Sequence, residues 1–87
     1  MVVEKILEER ESQYGSYSDV ARITQGIKDH LLTGKSYENL SNEQKLSLDM
    51  IANKMARAVN GDVNLIDNYA DICGYSQLVV DSLKSIG

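Results

Sequence analysis

The sequence predicts an all-α fold: a four-helix domain whose last two helices form an antiparallel hairpin. Three observations carry this expectation. Apolar residues recur at spacings of three and four through most of the chain, which is the period of a helix face. No segment alternates with period two for long, so strands are not expected. The 87 residues include no proline, the residue that would interrupt a helical ladder.

Helices are expected over about 2–14, 18–33, 41–60 and 65–84, all within one domain, 1–87. In "VVEKILEERESQYG", Val3, Ile6, Leu7 and Tyr14 fall near one face. Glu4 and Glu8 complement the positive end of the helix dipole, and Gly15 is placed to stop the helix. After "GSYS", Ser16 or Ser18 can cap a second helix, in which Val20, Ile23, Ile27 and Leu31 share a face. Gly26 interrupts that helix at a cost of about 1 kcal/mol relative to alanine. A close approach of another helix would explain it.

The third helix has the clearest boundaries. Ser41 and Gln44 form an S-x-x-Q capping box. Leu48, Ile51, Ala52, Met55, Ala58 and Val59 make the apolar stripe, and Asn60-Gly61 should close the helix in a left-handed turn. On the last helix Leu65, Tyr69, Ile72, Cys73, Val80 and Leu83 share a broad face, while Tyr75 and Leu78 point the other way, beside Asp67 and Asp71. A helix apolar on more than one side is normally covered by a second layer. Gly74, four after Ala70, would let that layer come close. A homodimer or larger helical homo-oligomer is therefore expected.

Composition narrows the partners. Apolar residues make up 43%, normal for a folded chain, and a lone cysteine, Cys73, excludes an internal disulfide. The net charge of −4 argues against general binding to DNA or to an acidic membrane, since phosphate is held by clustered positive charge. No apolar stretch approaches the roughly 20 residues that cross a bilayer, and the first residues are charged where a secretory signal would be apolar. A cytoplasmic protein is the expectation.

Three stretches together, "EERESQYGSYSDVARITQGIKD", "LSNEQKLSLDMIANKMARAVNGD" and "DNYADICGYSQLV", resemble a family of small phage and prophage proteins of unknown function. The matching steps are Tyr14-Gly15, Lys54 with Arg57, Gly61-Asp62, and Asp67, Asp71, Gly74 and Tyr75. A phage protein of this kind would work in the host cytoplasm. More distantly, "DNYADICGY" is similar to the last catalytic helix of MazG-like all-α nucleotide pyrophosphohydrolases. That resemblance implies a helical oligomer holding Mg²⁺ on acidic residues of adjacent helices and cleaving nucleoside triphosphates. The chain departs from the pattern in two places. The Glu-x-x-Glu motif has only Glu8 and Glu11 as a formal match, far before Asp67, and Asp-x-x-x-Asp stands where Glu-x-x-Asp is usual.

Residue chemistry gives two lists of candidates. Asp67 and Asp71, four apart, can share a divalent ion, and Asp49 on the third helix, with Asn53, could complete an oxygen-rich Mg²⁺ site if the last two helices pack antiparallel. The plainer reading makes Asp67 and Asp71 the acidic first turns of a helix, with Asp67 as a possible N-cap, and Asp49 ordinary surface. Lys54 and Arg57, joined by Arg22 and Lys28, can hold phosphate. Solubilising charge is the alternative. Tyr14, Tyr17, Tyr69 and Tyr75 read as core or interface, though one could stack on a base, and Tyr75 is counted among the ligand-binding candidates. His30 lacks neighbours for a zinc site, and Cys73 reads as a buried, inert thiol. Two functions stay open: a nucleotide-binding protein with or without hydrolysis, and a non-catalytic phage accessory protein that binds a host protein or a signalling nucleotide.

Overall fold

Ser16 decides where the second helix begins. Its hydroxyl accepts the Asp19 N–H at 3.1 Å and donates to the Asp19 carboxylate at 2.9 Å. That bond, with Arg22 next in weight, holds the Asp19 carboxyl below the usual carboxylate range. The computed structural model describes residues 2–86, and its helices are α1 (Val2–Tyr14), α2 (Tyr17–Leu31), α3 (Asn42–Asn60) and α4 (Ile66–Ile86). A single 3-10 turn, Tyr37–Asn39, lies between α2 and α3. The helix ends differ from the expected ones by no more than two residues. α2 stops at Leu31 because the N–H groups of Thr33 and Gly34 bond to His30 and Leu31 in tighter turns.

The capping box forms as read. Gln44 N–H donates to Ser41 Oγ at 3.1 Å, and Ser41 N–H donates to Gln44 Oε1 at 2.8 Å. From this start α3 runs through the middle of the fold, with α2 packed along one side and α4 antiparallel along the other. Among the described residues the buried apolar side chains are Val20, Ala52, Ala56 and Ala58. Small side chains on α3 let its neighbours come close but bury little area. α1 contributes no buried residue and is held mainly by its C-terminal end.

Two expectations about glycine change. Gly61 does not close α3 in a left-handed conformation; its φ is −136°. It is glycine because a side chain would run into the backbone of Gln13 and Tyr14. Gly15, not Gly61, takes the left-handed turn, at φ +79°, and its own missing side chain makes room for Asn60. Gly26 marks no helix contact, since nothing lies within 4 Å of where its Cβ would stand. Gly74 is equally open in the single chain.

The last helix also sits differently from its apolar pattern. Leu65, Asn68, Ile72, Tyr75, Val79 and Ser82 turn toward α3, whereas Tyr69, Cys73, Val80 and Leu83 are exposed. Tyr75 therefore belongs to the packed seam, and Cys73 is not buried. The rotation follows from the partner surface. Lys54 of α3 reaches Asp71, and Ser47 and Ile51 of α3 line a groove with Ser76 and Val79 of α4. These contacts select one part of a wide apolar arc.

Two substitutions test these local causes. Ser41→Ala should lower the unfolding free energy by about 1 kcal/mol by removing the cap. Gly61→Ala should cost more, on the order of 2 kcal/mol or above, because backbone rather than a movable side chain must give way. Urea denaturation followed by circular dichroism reads both.

Candidate functional site: a cleft between α1 and α3

Where α1 ends, three stretches of chain meet. Asn60 donates its side-chain amide to Tyr14 O at 3.0 Å, and Asp62 N–H donates to Gln13 O at 2.8 Å. Asp62 also shapes the link to α4, accepting the Asn64 N–H on its side chain at 2.9 Å. The clamp leaves α1 crossing the C-terminal half of α3. Between them opens a cleft of about 390 Å³. Its polar lining comes from Arg10, Glu11, Tyr14 and Tyr17 on one side and from Asn53 and Arg57 on the other, over a floor that includes Leu7 and Val20.

The Arg57 guanidinium lies over the Tyr14 ring, 4.3 Å from its centroid. This is a cation–π contact, and it leaves the in-plane N–H groups of the fork for other acceptors. Among the described residues the ion pairs are Arg22–Asp19 (3.4 Å), Lys28–Asp49 (3.3 Å) and Lys54–Asp71 (3.2 Å). Neither Arg10 nor Arg57 takes part in any of them. The cleft therefore carries two positive charges, neither in an ion pair, beside the single carboxylate of Glu11, in a chain of net charge −4.

The residues expected to form a site are dispersed. Arg57 and Asn53 line the cleft. Arg22 is exposed on α2 and bonded to Asp19. Lys54, its side chain only 12% exposed, is engaged by Asp71 across the α3–α4 seam. Tyr75 is in that seam too. Asp49 pairs with Lys28 of α2, and helix geometry sets Asp49 and Lys54 roughly 140° apart around α3. Asp49 thus faces away from Asp71. Asp67 is exposed in the first turn of α4, one residue inside the helix, so it is not the N-cap. No group of three or more His, Cys, Asp or Glu residues that could hold a metal ion is present among the described residues. His30 is exposed.

Arg10 was not singled out by the sequence; Glu11 entered only as part of a formal Glu-x-x-Glu match, and Tyr17 only among four tyrosines expected in core or interface, whereas it is exposed. Arg10 and Tyr14 are four apart on one helix, as Asn53 and Arg57 are on another, so each pair shares a face. That the two faces oppose each other is tertiary information. No described helix is long and apolar enough to cross a membrane. Residues 2–82 match the model of a family described as a domain of unknown function, DUF6378. No curated protein and no solved structure matches the chain.

The Lys54–Asp71 pair gives a direct test of what Asp71 does. Asp71→Asn leaves a largely buried ammonium without its carboxylate and should cost about 1 kcal/mol, discounted because Asp71 itself is 48% exposed. The loss should be the same in excess EDTA and in millimolar Mg²⁺. Urea titration of both proteins under both conditions reads it.

Proposed function

This chain belongs to the DUF6378 family, and we propose that it binds a nucleotide in the cleft between α1 and α3 without turning it over. The observation that carries the reading is Arg57 stacked on Tyr14 at the mouth of a cleft that also holds Arg10. Guanidinium forks match phosphate oxygens bidentately, so Arg10 and Arg57 take the phosphates. Tyr17, 87% exposed at the rim, offers a ring face to the base. Asn53 and Glu11 supply a donor–acceptor side chain and an acceptor for sugar hydroxyls or base amines. The cleft volume falls in the lower part of the range for small-molecule sites.

The similarity to MazG-like enzymes would add hydrolysis, with Mg²⁺ held by Asp49, Asp67 and Asp71. Lysines already engage two of these three carboxylates, which favours binding over catalysis. A phage or prophage origin, implied by the resemblance in sequence, suits the same reading: a small accessory protein that captures a nucleotide signal in the host cytoplasm.

Isothermal titration with ATP, dATP, ADP and inorganic triphosphate, each with and without Mg²⁺, tests it. Binding should be in the micromolar range and largely independent of Mg²⁺. Arg57→Met should weaken it at least tenfold, about 1.4 kcal/mol. Tyr17→Ala should weaken nucleotides but not triphosphate. Absence of heat with every ligand sinks the proposal, and phosphate or pyrophosphate release from any of them would replace binding with hydrolysis.

A further inference from the structure

The chain exposes more surface than a folded monomer of its size should. Its accessible area is 6457 Å², whereas a compact 9.7 kDa monomer exposes about 5,100 Å². The radius of gyration tells the same story: 14.9 Å, against about 12 Å for a compact domain of this length. The excess is about 1,300 Å², larger than the roughly 800 Å² that each partner contributes to a stable interface of standard size.

Part of the uncovered apolar surface forms a stripe on one side of the α3–α4 hairpin. On α3, Met55 and Val59 are exposed, about a quarter turn from the edge that meets α4. On α4, Tyr69, Cys73, Val80 and Leu83 are exposed, about a quarter turn from the edge that meets α3, and in the same rotational sense. Both helices are right-handed and they run antiparallel, so equal turns in the same sense bring both stripes to one side. A groove of about 260 Å³ lined by Leu48, Ile51, Ser76 and Val79 opens between the two helices. Cleft residues Asn53 and Arg57 project from the opposite side of α3, roughly 160° from Met55 and Val59.

We infer that this face binds a second copy of the chain, two hairpins packing to complete a helical bundle whose core neither chain builds alone. Surface area selects the occupant. One chain has four buried apolar side chains among its described residues, three of them alanines, and a wide apolar stripe that a symmetric partner would match with its own. A self-complementary apolar face also needs no charge match, which suits two chains that each carry −4. The nucleotide cleft stays open on the far side of each copy, so this inference and the proposed binding stand or fall separately.

Light scattering at 5–100 µM should give twice the chain mass, and thermal melts should shift upward with concentration, as mass action requires. Val80→Glu, in the stripe, should raise the dissociation constant at least tenfold. Leu78→Glu, exposed on another side of α4, should leave it unchanged. A short bismaleimide should join two wild-type chains through Cys73, the only cysteine. That readout does not depend on any variant folding. A monomer across the whole concentration range overturns the inference. A dimer that neither cross-links through Cys73 nor responds to Val80→Glu also overturns it, because the contact would then lie elsewhere.

Discussion

Backbone meeting backbone at two glycines is the constraint on which the rest of this structure depends. The elbow at Gly15 and the end of α3 at Gly61 pass so close that neither position has space for a Cβ. Asn60 and Asp62 convert the approach into hydrogen bonds to the last carbonyls of α1, the groups that a helix end leaves without partners. Because α1 buries none of its own residues, this junction rather than hydrophobic packing sets its direction. Its direction in turn places Tyr14 under Arg57 and leaves a cleft where a closer packing would have filled the space.

Charge is distributed around α3 with a consistent logic. On the α2 side Lys28 meets Asp49, and on the α4 side Lys54 meets Asp71. Each pair ties a neighbouring helix to the central one and satisfies a carboxylate that could otherwise attract a cation. Arg57 projects on a third side, where it stacks on the Tyr14 ring of α1 and makes no ion pair among the described residues. A guanidinium stacked on a ring is oriented yet not neutralised, which is the condition an anion site needs. Asp49 and Asp71 serve as ties between helices, while Arg57 is left without a carboxylate partner among the described residues.

The core is thin because α3 meets its neighbours through alanine. Ala52, Ala56 and Ala58 allow close helix packing at the expense of buried area. The α4 seam even includes Asn68, 2% exposed, whose side-chain amide nitrogen has no partner among the described residues. A buried donor left unmade costs about 1–3 kcal/mol, a large fraction of what so small a domain can spare. Association through the exposed hairpin face would supply the missing burial.

By itself the sequence determined what depends on neighbours along the chain. Four helices, the Ser41–Gln44 box, the stop at Gly15 and the absence of strands all follow from spacing and from side chains bonding to nearby backbone, and these appear with ends shifted by at most two residues. The site was only partly readable. Arg57 was singled out for phosphate and Asn53 for a metal site with Asp49, and both line the cleft, whereas Arg10 gave no signal and Glu11 and Tyr17 were named only in other connections, because opposing faces of helices distant in sequence leave no periodicity to detect. Only the tertiary structure decided which part of the wide apolar arc of α4 meets α3, so that Tyr75 turns in and Cys73 out. It also decided that Asp49 and Asp71 face different neighbours, since two residues on one helix share a site only if the partners around that helix allow it. The reason for Gly61 was likewise hidden. Its own dihedral angles do not require glycine; the passing backbone of a helix that ends more than forty residues earlier does.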